Sequence, residues 1–415
     1  MNTLQEQPFF GIPKERVTWI KGRCVSDGAM VKGDLAALRL KMSETGDKNG
    51  VRVTASGTIR IFLRTDRVPY WGEEIVATGS PTIAEETGAV LFFGSMDGQR
   101  PAKFSSTIMR WRAAAIRGFE KRIDSMGKNA GGFFKALFLG VKDDLGLRER
   151  DRFQKSGCMH ILALSGMHLA VISGFLYFLI KPLAGKRFSF WFVAFCVGVY
   201  IFITGARSSL LRAGIMFTIY GAGLFFGKRG DIRSVFLLSF LILLLVTPLA
   251  VWSLSFQLSF LALAGILYLG TRIMHGTRRF LPRFLGGPLS ASIGAQCATA
   301  PLLALLFGAV YPGGIITSLI LAPIVSLFLL TGIIYLITPV AALHSVLLYP
   351  MEKLYDSIMW TAAMGARVPG IEAAGSWKIT ATWIVCSLFC AVIIIPHAVK
   401  KTRRWHRLIT TAYLK

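Results

Sequence analysis

Polar side chains interrupt the most apolar stretches of this sequence in five short clusters. The first cluster, residues 157–174, contains His160, Ser165 and His168. If the cluster is helical, the eight-residue spacing places the two imidazoles about 80° apart, on one flank of the helix. Two histidines make only a weak metal signal, so we predict no metal site. Histidines that hydrogen-bond across helices are the structural alternative.

The second cluster, residues 204–214, combines two arginines with two serines. Arg207 and Arg212 flank Ser208 and Ser209. Guanidinium and hydroxyl groups together suit phosphate oxygens, because they form forked and charge-assisted hydrogen bonds. The alternative is that each arginine extends to a membrane interface.

Three further clusters lie at residues 253–266, 294–308 and 318–325. The last two contain Pro301 and Pro323, and a proline at membrane depth is tolerated beside a cavity or pore. Five such segments together predict a polar path through a helix bundle. The candidate residues for this path are His160, Ser165, His168, Arg207, Ser208, Arg212, Gln257, Ser259 and Gln296.

No motif in the sequence indicates catalysis. A phosphate-binding loop of the Gly-x-x-x-x-Gly-Lys-Ser/Thr type does not occur. Ser165 lies in Leu-Ser-Gly-Met rather than in a Gly-x-Ser-x-Gly elbow. We therefore predict no catalytic residue, no cofactor and no enzymatic activity, and we favour a passage or binding device.

The composition indicates a membrane protein with basic loops. The 415 residues include 47 Lys and Arg against 22 Asp and Glu, and 53% of them are hydrophobic. Charged residues make up 17%, below the ~25% of soluble domains. This apolar content excludes disorder and a soluble basic DNA-binding domain. Six cysteines are too few for a disulfide scaffold.

Apolar runs of about 20 residues predict the membrane spans. These runs are 157–180, 188–205, 208–227, 234–251, 253–271, 287–310, 314–338 and 379–397. Residues 341–366 form a further helix that either spans the membrane or lies at its interface. Alternating the spans puts the basic loops on one side, which the positive-inside rule assigns to the cytoplasm. The residues before the spans then lie outside; the sidedness of 341–366 and of the tail stays open.

The first hundred residues predict a small β-barrel of the OB type, with a β-sandwich fragment as the alternative. Five alternating runs, at 17–25, 35–42, 51–63, 74–83 and 89–93, are separated by turn residues. Residues 1–100 contain 13 Lys and Arg against 12 Asp and Glu. This balance gives little support for phosphate binding. Trp19, Tyr70 and Trp71 are candidates for stacking on bases, although core packing is the simpler interpretation for at least two of them.

A basic amphipathic segment joins the two parts. Trp111 and Ile116 recur at helical spacing among Arg110, Arg112 and Arg117, which predicts a helix along the lipid headgroups. We divide the chain into an OB-like domain (1–100), a helical connector (101–156), a polytopic membrane domain (157–399) and a basic tail (400–415).

Four ordered motifs resemble those of the ComEC-type competence protein family. They are Gly157 to His168, Thr204 to Met216, Ser255 to Ile266, and Ala295 to Pro301 with the later Pro323. A weaker resemblance links Trp71 to Gly79 with the OB-like domain of that family.

The resemblance implies an inner-membrane channel that carries one strand of transforming DNA into the cell, with the barrel outside. It implies single-stranded DNA, a separate motor ATPase and a DNA receptor as partners. Members often have membrane helices before the barrel and a metallo-β-lactamase-like domain at the end. We find neither here, so we expect a separate nuclease and a truncated or separately encoded chain. The alternatives are a small-molecule or lipid transporter, and a non-functional remnant.

Overall fold

A computed structural model describes residues 8–32, 34–65, 67–83, 90–96, 103–104, 106–225, 231–277, 280–339 and 341–372. The chain forms two compact units. The first, the β unit, contains Met1–Asp144 and Phe202–Gly205; the second, the helical unit, contains Leu145–Ile201 and Ala206–Lys415. The predicted span 379–397 and the basic tail lie outside the described residues.

Eight strands of the β unit belong to one sheet in the described part of the chain. They are β1 (Trp19–Cys24), β2 (Ala29–Lys32), β3 (Leu35–Gly46), β4 (Arg52–Thr54), β5 (Thr58–Arg64), β6 (Glu73–Ile83), β7 (Val90–Met96) and β8 (Lys103–Phe104). The five predicted runs all correspond to strands. The run 51–63 is divided into β4 and β5, and the prediction did not include β2 or β8.

The strands pair in the order β1–β3–β5–β7–β6, and β6 also pairs with β1. β5 and β7 are parallel, whereas the other pairs in this order are antiparallel. Alternate residues point inward because side chains in a strand alternate between faces. The inward set of β5, Ile59, Ile61 and Leu63, is at most 1% exposed and belongs to the core of the unit. The predicted class, an N-terminal β domain followed by a helical membrane part, is confirmed; the sheet has more strands than the predicted five-stranded barrel.

Helices α1 (Thr107–Asp124) and α2 (Lys128–Phe138) complete the β unit. α1 lies in the segment predicted to be a basic amphipathic helix, and in it Arg112 is 1% exposed whereas Trp111 is 54% exposed. The Arg112 guanidinium donates to both carboxylate oxygens of Asp27 at 2.7 and 2.6 Å. It also donates to the carbonyls of Phe202 and Ile203, residues of the same unit. These four bonds explain why a cation is buried here.

The helical unit begins with α3 (Leu147–Lys155), and apolar helices follow it. They are α4 (Gly166–Thr204), α5 (Ser208–Phe225), α6 (Ile232–Val246), α7 (Leu254–Ala264), α8 (Thr271–Thr277), α9 (Arg283–Phe307), α10 (Gly314–Ile337) and α11 (Ala341–Gly365). A short pair, β9 (Ala309–Val310) with β10 (Ile371–Glu372), joins two loops. Gly265–Gly270 forms a π-helix between α7 and α8.

Five helices are long and apolar enough to cross a membrane, in the residues that the structure describes. They are α4, α5, the continuous helix Leu254–Thr277, α9 and α10. α4 contains two predicted spans, because Gly185 (φ 74°, ψ 166°) breaks the helical backbone near Pro182. α6 has 15 residues and is shorter than predicted. α11 is not one of the five; its Tyr355 hydroxyl donates to the carboxylate of Glu149 on α3.

Candidate functional site in the helical unit

The first predicted cluster is not one helix. Met159–Leu162 forms a 3-10 turn, and α4 begins only at Gly166. His160 therefore lies in the turn with an exposed side chain, whereas His168 is fully buried in the first turn of α4. The prediction that the two imidazoles share one helical flank is wrong, because Gly157 (φ 72°) and the extended residue Ala163 interrupt the helix.

Ser165 and His168 form a capping interaction at the start of α4. His168 Nδ1 accepts a hydrogen bond from the backbone N–H of Ser165 at 3.1 Å, and the Ser165 hydroxyl lies 3.0 Å from the same nitrogen. This arrangement resembles a capping box, with histidine at the third helical position in place of Glu or Gln. Because Nδ1 accepts, the proton of the neutral ring is on Nε2. His168 Nε2 is buried and has no hydrogen-bond partner in the described structure.

The start of α5 lies against the start of α4. The Ser209 hydroxyl donates to the carbonyl of Leu164 at 2.6 Å. A Cβ added to Gly166 would lie 3.4 Å from the Cβ of Ala213, so the two helices approach closely at this point. The first and second motifs therefore meet where both helices begin.

α7 joins the same region through two contacts with α5. The Ser208 hydroxyl donates to the hydroxyl of Ser255 at 3.2 Å. One turn further along α5, the guanidinium of Arg212 lies 5.6 Å from the centre of the Phe260 ring. α7, which carries the third motif, therefore contacts α5, which carries the second.

Three of the candidate side chains carry buried groups without a partner among the described residues. Besides His168 Nε2, these groups are Nε and Nη1 of Arg212 and the hydroxyl of Ser259. Native proteins pair the large majority of buried side-chain polar groups. An N–H or O–H donor that the protein leaves open is suited to an anion or to water. We refer to these three residues, which lie on the mutually contacting helices α4, α5 and α7, as the open polar cluster: His168, Arg212 and Ser259.

The remaining candidates have other positions. Arg207 is exposed immediately before α5. The amide of Gln257 donates to the carbonyl of Val251 in the preceding turn, at 3.1 Å. Gln296 donates to the carbonyl of Tyr311 at 2.6 Å. A Cβ on Gly157 would lie 2.8 Å from that same carbonyl oxygen. Both glutamines thus hold loops in place.

α9 crosses the π-helix closely, at a point that the sequence did not predict. A Cβ on Gly265 would lie 2.1 Å from the carbonyl oxygen of Gly294, so only glycine permits α9 to cross the π-helix there. Gly265 was part of the third motif, and Gly294 begins the fourth cluster. The sequence shows both glycines within apolar runs, but only the structure shows that Gly265 and Gly294 face each other.

The three aromatic candidates of the β unit make contacts within that unit. A Cβ on Gly46 would lie 2.4 Å from the Trp19 ring, which covers this glycine. The Tyr70 hydroxyl donates to Glu120 at 2.9 Å, and burial together with this carboxylate raises the pKa of Tyr70. Trp71 lies under the guanidinium of Arg112 at 5.6 Å.

No group of three or more His, Cys, Asp or Glu side chains is placed to hold a metal within the described ranges. Cys158, the cysteine next to the 3-10 turn, is buried, and this burial raises its pKa to about 12. The thiol is therefore protonated at neutral pH and is a poor metal ligand.

Comparison with known proteins agrees with the arrangement of the motifs. A family model described as "Competence protein" matches residues 137–401, which is more than half of the chain. A segment of 174 residues, 41% of this chain, is 30% identical to ComE operon protein 3 of Bacillus subtilis (strain 168). That match covers 22% of the length of the relative. No solved structure matches. The extent of the family match shows that the chain belongs to the competence protein family.

Proposed function

We propose that this chain forms a passage for single-stranded DNA across the bacterial cytoplasmic membrane during natural transformation. Membership of the competence family supports a role in DNA uptake. The observation that carries the finer proposal is the open polar cluster, in which Arg212 has two buried N–H donors without a partner. Polar groups inside membrane helices are costly and mark substrate pathways.

The chemistry of the cluster matches a phosphate backbone. Arginine, a serine hydroxyl and an imidazole N–H are all donors, and each can bond a phosphate oxygen. His168 lies in the first turn of α4, and the N-terminal end of a helix favours negative charge. As the strand moves, each phosphate would exchange its hydration water for hydrogen bonds from these donors.

The rest of the proposal concerns orientation and partners. We place the β unit outside the cell and the basic loops 181–187, 228–233 and 271–283 in the cytoplasm, following the positive-inside rule. The channel would act as a conduit without catalysis. A separate motor ATPase, a DNA receptor and, where one strand is degraded, a separate nuclease would supply the other steps.

The decisive experiment measures DNA uptake in cells that carry Arg212→Met. We expect DNase-resistant uptake of labelled DNA to fall at least about tenfold at equal membrane levels, because one lost charge-assisted contact is worth roughly 1.5–3 kcal/mol. Arg233→Met is the matched control: this exposed arginine also lies over an aromatic ring, Tyr268, at 5.4 Å, but outside the open polar cluster.

Three results would contradict the proposal. Normal uptake in Arg212→Met would remove the cluster from the path. Normal transformation after deletion of the gene would remove the channel itself and favour the transporter or remnant alternatives. Equal losses in Arg212→Met and Arg233→Met would show a general effect of charge rather than a local path.

A further inference from the structure

The outer face of the β unit carries an aromatic pair among arginines. Phe62 on β5 and Phe93 on β7 are directly opposite each other in the parallel register. Their ring centres are 5.0 Å apart and their planes differ by 10°, so the rings stack. Phe93 is 42% exposed although it is a large apolar side chain. A stacked and exposed pair is a surface on which a further flat ring can stack.

Cations surround this pair on the same face of the sheet. Arg60 and Arg64 lie two residues to either side of Phe62 on β5, so all three point outward. On β3, Arg39 is directly opposite Arg60, and Lys41 follows two residues later. All four cations are exposed, and none forms an ion pair or hydrogen bond with a carboxylate in the residues that the structure describes.

This arrangement has a cost that an external anion would offset. Like charges directly opposite each other on neighbouring strands, as Arg39 and Arg60 are, destabilise a sheet. The near-zero net charge of the first hundred residues therefore hides an asymmetric distribution. The expectation of weak phosphate binding rested on that balance, and the local charge of this face is a reason to test it there.

A groove gives the face its shape. It has a volume of about 600 Å³, within the ~300–1,000 Å³ of small-ligand sites, and contains both phenylalanine rings. Arg64, Thr78 and Ser95 supply donors along its wall, and Asp34 is the carboxylate in the lining. Aromatic rings, donors and flanking cations are thus present in one concave surface.

We propose that this face, the Phe62–Phe93 platform with Arg39, Lys41, Arg60 and Arg64, binds single-stranded nucleic acid. Bases stack on the aromatic pair while the cations contact phosphates, the combination that sequence-tolerant single-strand binding requires. A duplex hides the faces of its bases, and a lipid headgroup offers no flat ring to the platform. The inference rests on the proposed function for its biological setting, and it assigns the DNA contact to residues other than Trp19, Tyr70 and Trp71.

The test measures binding of a fluorescent oligothymidylate of about 20 nucleotides to the full chain in detergent by anisotropy. Phe93→Ala should weaken binding about 5- to 150-fold, the range for loss of one base–aromatic stack. Phe93→Tyr keeps a ring and should bind like the wild type. On an abasic strand of the same length, Phe93→Ala should have no effect.

The cations are tested in the same assay. Arg60→Ala should weaken both strands and reduce the slope of log affinity against log salt by about 0.7, the contribution of one phosphate contact on a single strand. Lys48→Ala removes one exposed charge from the turn between β3 and β4 and should change neither value. A thermal unfolding midpoint within the error of the wild type confirms that each variant folds.

Unchanged affinity in Phe93→Ala, or an equal loss on the abasic strand, would overturn the platform. Loss of binding to anionic phospholipid vesicles in Arg60→Ala, with DNA binding intact, would assign the face to a membrane instead. Because this assay reads equilibrium binding and the Arg212→Met experiment reads passage, either proposal can fail without the other.

Discussion

Replacing Arg212 by methionine should stabilise the folded protein, although we expect it to reduce the proposed DNA passage. Each buried donor without a partner costs about 1–3 kcal/mol, and Arg212 has two of them. The substitution also removes the contact of the guanidinium with the Phe260 ring, worth about 0.5–2 kcal/mol. Methionine keeps most of the apolar stem. The difference is a gain of about 0–5.5 kcal/mol in the free energy of unfolding, with a central value of about 3 kcal/mol.

The assay is thermal unfolding of the full chain in detergent, followed by tryptophan fluorescence. Each kcal/mol should raise the midpoint by about 2–4 °C for a unit of this size. Arg233→Met is the control again, and since its arginine is exposed the change should stay within about 0.5 kcal/mol.

A midpoint for Arg212→Met below that of the wild type would refute the reasoning. It would mean that the contacts of the guanidinium stabilise the folded protein by more than its two unpartnered donors destabilise it. The side chain would then not be open for a passing anion. A raised midpoint together with lost uptake would show that the residue is retained for function at the expense of stability.

Three further predictions concern other parts of the fold. Asp27→Ala leaves the buried guanidinium of Arg112 without its carboxylate and should lower the free energy of unfolding by about 3–5 kcal/mol. Arg112→Met should lower it less, because water reaches the remaining carboxylate of Asp27. Amide hydrogen exchange of the β unit measures both changes. Burial raises the pKa of Glu120, so its contribution to stability is present below the unfolded pKa and lost as pH rises through the folded pKa. The midpoint of Glu120→Gln relative to the wild type should therefore increase between pH 4 and pH 7, and a constant difference would contradict this. Gly157→Ala forces alanine into a left-handed conformation next to the Tyr311 carbonyl. It should lower the free energy of unfolding by at least about 1–2 kcal/mol, which a lower thermal unfolding midpoint would show.

Much of the fold follows from periodicity and apolar length. The strands β1, β3, β5, β6 and β7 were predicted because alternation and turn residues are local signals. The long apolar helices were predicted because a bilayer sets a minimum length. The start of α4 was not, because it depends on a capping bond between Ser165 and His168 rather than on hydropathy. Apolar residues on both sides of that bond extended the predicted span by nine residues, from Gly166 back to Gly157.

The candidate site of the helical unit and the proposed platform of the β unit differ in how far the sequence predicts them. Arg212 and Ser259 could be identified because polar groups in apolar runs are visible without a structure. The platform on the β unit could not, since it depends on the register that places Phe62 opposite Phe93. The alternation Arg60-x-Phe62-x-Arg64 was a readable local signal. Net charge concealed it, because the net charge is a sum over the whole domain and does not show where the charges lie.

Arg112 and Arg212 show why an unpartnered donor is informative in this protein. Arg112 is buried with four hydrogen bonds, so the chain does satisfy a buried guanidinium where the role is structural. Arg212 is left with two open donors, beside the open groups of Ser259 and His168. A conducting path must bind its ligand strongly enough to admit it and weakly enough to release it. Donors that already hydrogen-bond to the protein would not release those bonds to a moving phosphate. A site that surrounded the phosphate with many donors would bind it too tightly to release it. Separate open donors on α4, α5 and α7 would meet both conditions in the proposed passage, since a strand could exchange one contact at a time.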